Sequence, residues 1–238
     1  YHNLRVLPST EKIGITRNYQ RGFEACRGKY IAVLDGDDYW ISRNKLQLAS
    51  MFLDEHEECS LCFHRVIRHD ETSDHVAAYP TFAPEEESNV FTARQLATGN
   101  FIGGLSTCVY RSETIASLDR EIWKMKVREW MFNIAVAERG SIGYIPEILS
   151  IYRVHPGGIW SLKPPEEKTA ELLELIDDYN KYLDFRFDPE FQTFKLALFR
   201  EAEVRRLTEA MDRWITPFVP PVLLSRARKI YFRIRGSA

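Results

Sequence analysis

Three carboxylates fall within four residues at Asp35-Gly36-Asp37-Asp38. Like charges this close repel one another, and the arrangement becomes tolerable when a cation sits among them. An all-oxygen donor set selects Mg²⁺ or Mn²⁺, ions that usually complete their coordination with substrate phosphates. Gly36 has no side chain, so a ligand can come close to the backbone there. Just upstream, Tyr30-Ile31-Ala32-Val33-Leu34 is a continuous apolar run of strand length, the pattern of a parallel strand buried on both faces. The acids then lie at the carboxyl end of a strand, where open α/β sheets bind ligands. Taken alone, the four residues are equally compatible with an acidic turn that caps the helix after them.

Two other clusters invite a chemical reading. His155-Pro156-Gly157-Gly158-Ile159-Trp160 has the make-up of a mobile flap, with two glycines as hinge and a histidine and an aromatic ring to deliver. His56, Cys59, Cys62 and His64 look like metal ligands at first sight. However, Leu61 and Phe63 alternate with Cys62 and His64 as on a strand, and no second ligand pair follows at zinc-finger spacing, so half-buried strand residues are expected.

Composition narrows the class. The chain has 238 residues, 45% of them apolar and 13% aromatic, ample for a sizeable core. Lysine plus arginine total 32 against 34 acids, a net charge of −2, which disfavours nucleic acid as partner. Four cysteines (Cys26, Cys59, Cys62, Cys108) do not make a disulfide framework in a chain this long. There is no apolar run of about 18 residues, the length needed to span a bilayer.

The elements that must position the acids can be read in order. Leu4 to Leu7 suggests a short strand, and residues 16–27 a helix ending near Gly28. A helix is expected from about Asn44 to Glu55, two strands between Ser60 and Phe82, and a short helix capped by Thr92 and stopped by Gly99. Thr107 to Tyr110 reads as a strand, Glu129 to Arg139 as a helix, and Ser141 to Ile145 as a further strand. Pro164-Pro165-Glu166-Glu167 opens a helix, and Asp188-Pro189-Glu190 caps another that runs to about Met211. The division is an α/β domain over residues 1–162 and a helical extension with a basic tail over 163–238.

The ordered set Gly14-Ile15-Thr16-Arg17-Asn18, Ala25-Cys26-Arg27-Gly28-Lys29-Tyr30-Ile31 and Leu34-Asp35-Gly36-Asp37-Asp38 resembles glycosyltransferase family 2. So do the later stretches Gly140-Ser141-Ile142-Gly143-Tyr144-Ile145-Pro146 and Tyr152-Arg153-Val154-His155-Pro156-Gly157. Lys12 stands where the family usually has asparagine. The resemblance covers residues 3 to 162. It implies a GT-A fold, that is, a Rossmann-like mixed sheet flanked by helices, binding a nucleotide-diphosphate sugar, with a UDP-sugar as first choice, together with Mn²⁺ or Mg²⁺. By that match Asp35 and Asp37 serve ribose, metal and diphosphate, with Asp38 as third acid. Arg17 and Gly14 would border the nucleotide, and His155 would approach the metal or diphosphate as the flap closes. Glu129, in Arg128-Glu129-Trp130, stands where the family places the base, usually aspartate, of an inverting displacement. Trp130, Gly103 and Gly104 fall in the acceptor region, and the acceptor is expected to be a glycan or a lipid-linked one.

Alternatives from other classes are a haloacid-dehalogenase-like phosphatase with Asp35 as nucleophile, and a sugar-nucleotide-binding module without catalysis. The phosphatase needs a downstream acidic pair after a strand, whereas Asp177-Asp178 sits in an expected helix. In residues 222–238, Arg226, Arg228, Lys229, Arg233 and Arg235 interleave with apolar residues, which fits either a solvated tail or contact with an anionic membrane. The four cysteines fit a reducing compartment, so a cytoplasmic location is expected, with the tail allowing a peripheral position at the inner face of the cell membrane. Because family 2 domains open with a strand, helix and strand not found before Tyr1, about 60 residues are expected to be missing.

Overall fold

A computed structural model describes residues 4–80, 89–160 and 163–214. The helices are α1 (Ile15–Ala25), α2 (Lys45–Glu55), α3 (Ala93–Ala97), α4 (Ser112–Ser117), α5 (Glu129–Ala137), α6 (Pro165–Tyr182) and α7 (Asp188–Trp214). The strands are β1 (Tyr30–Ala32), β2 (Tyr39–Trp40), β3 (Cys59–Asp70), β4 (His75–Tyr79), β5 (Val90–Phe91), β6 (Cys108–Arg111) and β7 (Ser141–Val154). Among the described residues they form one mixed sheet in the order β1-β6-β3-β7-β2, with β4 on β3 and β5 on β7. By contact the chain divides at Phe194 into two units, the second comprising Lys195 onward and, in its described part, the remainder of α7.

Long parallel pairing of β3 with β7 forms the spine of the sheet. Pro146 has no N–H to give to a ladder, and β7 absorbs it in a bulge: His64 faces Ile145, yet Arg65 faces Ile148. That is why the strand continues to Val154 and does not stop near Ile145 as expected. The register shifts again between Arg65 and Val66, which faces Ser150, and a third irregularity, between Cys59 and Leu61, puts Cys59 and Cys62 in the same core cluster, with Ala49, Leu53, Val109, Ile145 and Leu149.

The other face carries the larger core. Phe23 from α1 stacks on Phe132 and meets Tyr110 edge-on. All of α5 after Glu129 is buried there, and Leu175, Ile176 and Tyr179 of α6 belong to the same cluster. Thr92 closes a capping box with Gln95 at the start of α3, as its sequence suggests.

Two expectations fail. Leu4 to Leu7 forms no strand; Leu4 and Val6 are 75% exposed and no described strand offers them a ladder. The apolar run at 30–34 is not a parallel strand buried on both faces. Only Tyr30–Ala32 pairs, antiparallel to β6, at a sheet edge, and Leu34 is exposed. Its apolar character reflects contact with both cores: Ile31 is buried in the larger one with Phe23 of α1, and Tyr30 and Ala32 lie partly buried against the smaller one.

His64 is buried in β3, with Nδ1 2.7 Å from the carbonyl of Arg65 and Nε2 without a partner among the described residues. Burial, and then the charge of Lys45, lower its pKa to about 3. The unfolded chain therefore takes up a proton near pH 6.5 that the folded chain refuses until about pH 3, so stability falls as the pH drops through that window. A His64→Leu variant should lack this component, which reaches about 2 kcal/mol by pH 5. Urea midpoints of both proteins at pH 7 and pH 5 check it.

Candidate active site

The acidic loop is held from three sides. It leaves the edge strand β1 and enters β2, which pairs with β7 through Tyr39–Ile151 and Trp40–Ser150. This pairing brings the loop against residues 152–155. The hydroxyl of Tyr19 donates to Asp35 Oδ1 at 2.6 Å, and the Asp35 N–H donates to Ser106 Oγ at 3.0 Å. Burial pushes the Asp35 carboxyl above its ordinary pKa, against the Tyr19 hydrogen bond that favours the charged form. Asp38 Oδ1 accepts the backbone N–H of Arg153 at 3.1 Å, while the Arg153 guanidinium reaches the Asp37 carbonyl at 3.2 Å and Glu71 at 2.8 Å. Beneath the loop, the Ser106 carbonyl accepts from Trp40 Nε1 at 3.2 Å and from the fully buried Lys45 at 2.5 Å.

Among the described residues, Asp37 is the acid with no scaffold bond on its carboxylate other than His155, whose Nε2 lies 3.2 Å from Oδ2. On the opposite edge of that imidazole, Nδ1 accepts the N–H of Gly157 at 3.2 Å. An accepting Nδ1 leaves the proton on Nε2, so His155 as held is a hydrogen-bond donor toward Asp37. To bind a metal through Nε2 it would have to give up the Gly157 contact. No group of three or more metal-ligating side chains converges among the described residues. The donors that fit a divalent cation are therefore oxygens, Asp37 first and the second oxygen of Asp35 next, a set that leaves most positions to phosphate oxygens and water. Asp38, like Asp35, gives one oxygen to a hydrogen bond, here from the Arg153 backbone N–H, and keeps the other.

Two cavities with shared lining residues lie here, one of them at this loop. One, of about 460 Å³, is lined by Asp35 to Asp38 and by Gly103, Gly104 and Arg153 on its polar side. A second, of about 420 Å³, is lined by Arg68, Asp70, Thr72, Tyr79, Tyr152 and Lys168 among others. Glu129, Asn100, Gly103 and Trp160 border both. Glu129 is the first residue of α5, and its carboxyl pKa is raised, chiefly by burial and further by Asp35, against the pull of Arg128. Thr16 fixes the segment before it: Oγ1 accepts from Val127 N at 2.9 Å and donates to the Met125 carbonyl at 3.2 Å. Gly103 adopts a φ of +92°, and a Cβ there would come within 3.0 Å of the Tyr79 ring, so this wall of the cavity requires glycine.

The structure thus gathers Asp35, Asp37, Asp38, Glu129, Gly103, Gly104 and His155 around adjoining cavities. Trp130 lines the larger one, but its Nε1 is committed to the Leu96 carbonyl at 2.7 Å and its ring packs edge-on against Phe194. Gly14 supplies a φ of +81° just before α1, outside the cavity linings, and Arg17 stands exposed on α1. Tyr19, Ser106 and Arg153 were not singled out from the sequence. Arg153 lay within a quoted stretch, and Tyr19 follows Ile15 by four, on the helix face that Ile15 turns toward the larger cavity.

Residues 1–116 match the model for glycosyl transferase family 2. These residues form a glycosyl transferase family 2 domain. Over 150 residues the chain is 31% identical to the protein Rv1520 of Mycobacterium tuberculosis and to Mb1547 of Mycobacterium bovis, both described as uncharacterized. The match takes in 62% of this chain and 41% of each relative, so the chain spans about two-fifths of their length. The match is to a family of glycosyltransferases. It leaves the phosphatase alternative without support, and Asp177-Asp178 indeed lie within α6. No helix among the described residues is long and apolar enough to cross a membrane. The basic stretch 222–238, and the membrane contact considered for it, lie outside the described residues.

Proposed function

We propose that the protein transfers a sugar from a nucleotide-diphosphate sugar, with a UDP-sugar as the first candidate, to a hydroxyl of a glycan or lipid-linked acceptor, with inversion. The observation that carries this reading is the position of Glu129, a carboxylate bordering both the cavity of the acidic loop and the adjoining one. The donor diphosphate belongs with Asp35, Asp37 and His155, and Asp37 with Asp35 would hold a divalent cation of the kind the family commonly uses. When bound, that cation supplies charge neutralisation for the departing diphosphate. With Asp37 turned to the cation, the His155 Nε2–H that now points at that carboxylate is released to donate to a phosphate oxygen on the same side. The second cavity suits the acceptor: Tyr79, Tyr152 and Trp160 offer ring faces to a sugar, and Arg68, Asp70 and Thr72 offer hydroxyl partners.

In the reaction, Glu129 takes the proton of the acceptor hydroxyl as that oxygen bonds to the anomeric carbon. The bond from that carbon to the diphosphate breaks, and its electron pair leaves with the nucleoside diphosphate. The raised carboxyl pKa makes Glu129 a better proton acceptor than an ordinary surface glutamate. The test is incubation of the chain with a panel of nucleotide sugars and Mn²⁺, reading nucleoside diphosphate release with and without candidate acceptors. Acceptor-dependent release from at least one donor is the expected result. Failure with every donor, by a protein that unfolds cooperatively, would remove the catalytic reading and leave a binding module.

A further inference from the structure

We propose that Glu171, on α6, is a positioning residue for transfer: a single buried carboxylate that fixes both the segment leading into Glu129 and the far end of the loop that carries His155 and Trp160. The role builds on Glu129 as base. Glu171 is only 8% exposed, yet three cations converge on it. Lys126 lies 2.5 Å from Oε1, Arg128 contacts that oxygen through both Nε, at 3.0 Å, and Nη2, and Lys163 takes Oε2. Burial works against ionisation here, but the hydrogen bonds of Lys126, Lys163 and Arg128 prevail and bring the carboxyl to about 2.

Two of the three cations, Lys126 and Arg128, lie just before α5, and the third follows the loop that begins at His155. Arg128, held this way, places its guanidinium 5.2 Å from the centre of the Trp160 ring, and Lys168 of α6 approaches the same ring at 6.0 Å. Trp160 borders both cavities. The leader 125–128 is thus pinned from two sides, by Thr16 of α1 and by Glu171 of α6. Without the carboxylate, Lys126, Arg128 and Lys163 would be like charges gathered around one point with nothing to neutralise them, and their repulsion would drive the leader and the loop apart. A salt bridge serving stability alone needs one partner; gathering three from two site-bearing segments suits a latch.

The experiment compares the full chain with Glu171→Gln by amide hydrogen exchange, without any ligand. Protection should fall about tenfold in residues 126–130 and 155–160 and stay unchanged in α2 and β3. Unchanged protection in both segments overturns the proposal, and so does an even loss across the chain, the mark of general destabilisation. With a donor that is turned over, Glu171→Gln should lower kcat about tenfold or more with donor KM within about twofold, and Glu171→Asp should restore part of the rate. Glu129→Gln, measured alongside, separates the two readings. If it keeps full turnover, the base assignment fails and exchange alone judges the latch. If it is inactive while Glu171→Gln matches the parent in exchange and kcat, the latch fails and the base assignment stands.

Discussion

Replacing Glu129 with glutamine should cut acceptor-dependent transfer by about 10³-fold while leaving nucleoside diphosphate binding near the parent value. Glutamine keeps the shape of the side chain and cannot accept the proton of the attacking hydroxyl. The fold has no reason to suffer: among the described residues the carboxyl makes no ion pair, and its helix is anchored by the buried side chains that follow it. The pH dependence gives an independent reading. Because burial raises the Glu129 pKa, the charged, proton-accepting form is lost as the pH falls through a value above the ordinary glutamate range. Parent kcat should decline on that acid limb, and the residual activity of the variant should not show it. Initial rates from pH 4.5 to 8, together with a nucleoside diphosphate titration at pH 7, decide the matter. A variant with parental kcat would end the base assignment.

Asp37→Ala should be nearly as damaging, with about a 10²- to 10³-fold loss of rate, and should also weaken diphosphate binding. Of the three loop acids, Asp35 spends an oxygen on Tyr19 and Asp38 spends one on the Arg153 backbone. Asp37 projects an exposed carboxylate toward His155 and is fastened through its main-chain carbonyl. Truncating its side chain therefore removes charge from the site and leaves the loop tethered. Calorimetric titration with UDP, in Mn²⁺ and in a chelator, should show that the parent gains affinity from the ion and the variant does not. Equal gains in both proteins would exclude Asp37 as the ion's carboxylate.

How far these residues could be read from the sequence depends on the range of the interactions that place them. The Thr92 cap, the helix after Asn44 and the helix opened by Pro165 are written in signals a few residues apart, and they stand where expected. The acids and Glu129 were legible because their type and local setting resemble the family's motifs. What holds them was not. Tyr19 lies 16 residues from Asp35, Ser106 lies 71 away and Arg153 lies 115 from Asp38, and no local pattern links such pairs. The same blindness explains β1: an apolar run reports burial, but whether its neighbour runs parallel or antiparallel is decided by a strand some 80 residues later. Pro146 misled in the other direction, because a strand can pass a proline when its partner tolerates a bulge.

That bulge has a consequence for how such a site could change over time. Together with the shift that follows it, it leaves three residues of β7 without a partner on β3, Pro146, Glu147 and Leu149, between a core half of β7 and a half that ends at Val154, just before His155. Side chains alternate with a period of two, so gaining or losing a pair keeps every inward residue inward. The tip of the strand would nevertheless move by about 7 Å relative to the acidic loop. Length here acts as a ruler separate from the packing: the core can stay as it is while the distance between the acids and the histidine is reset in steps of one residue pair.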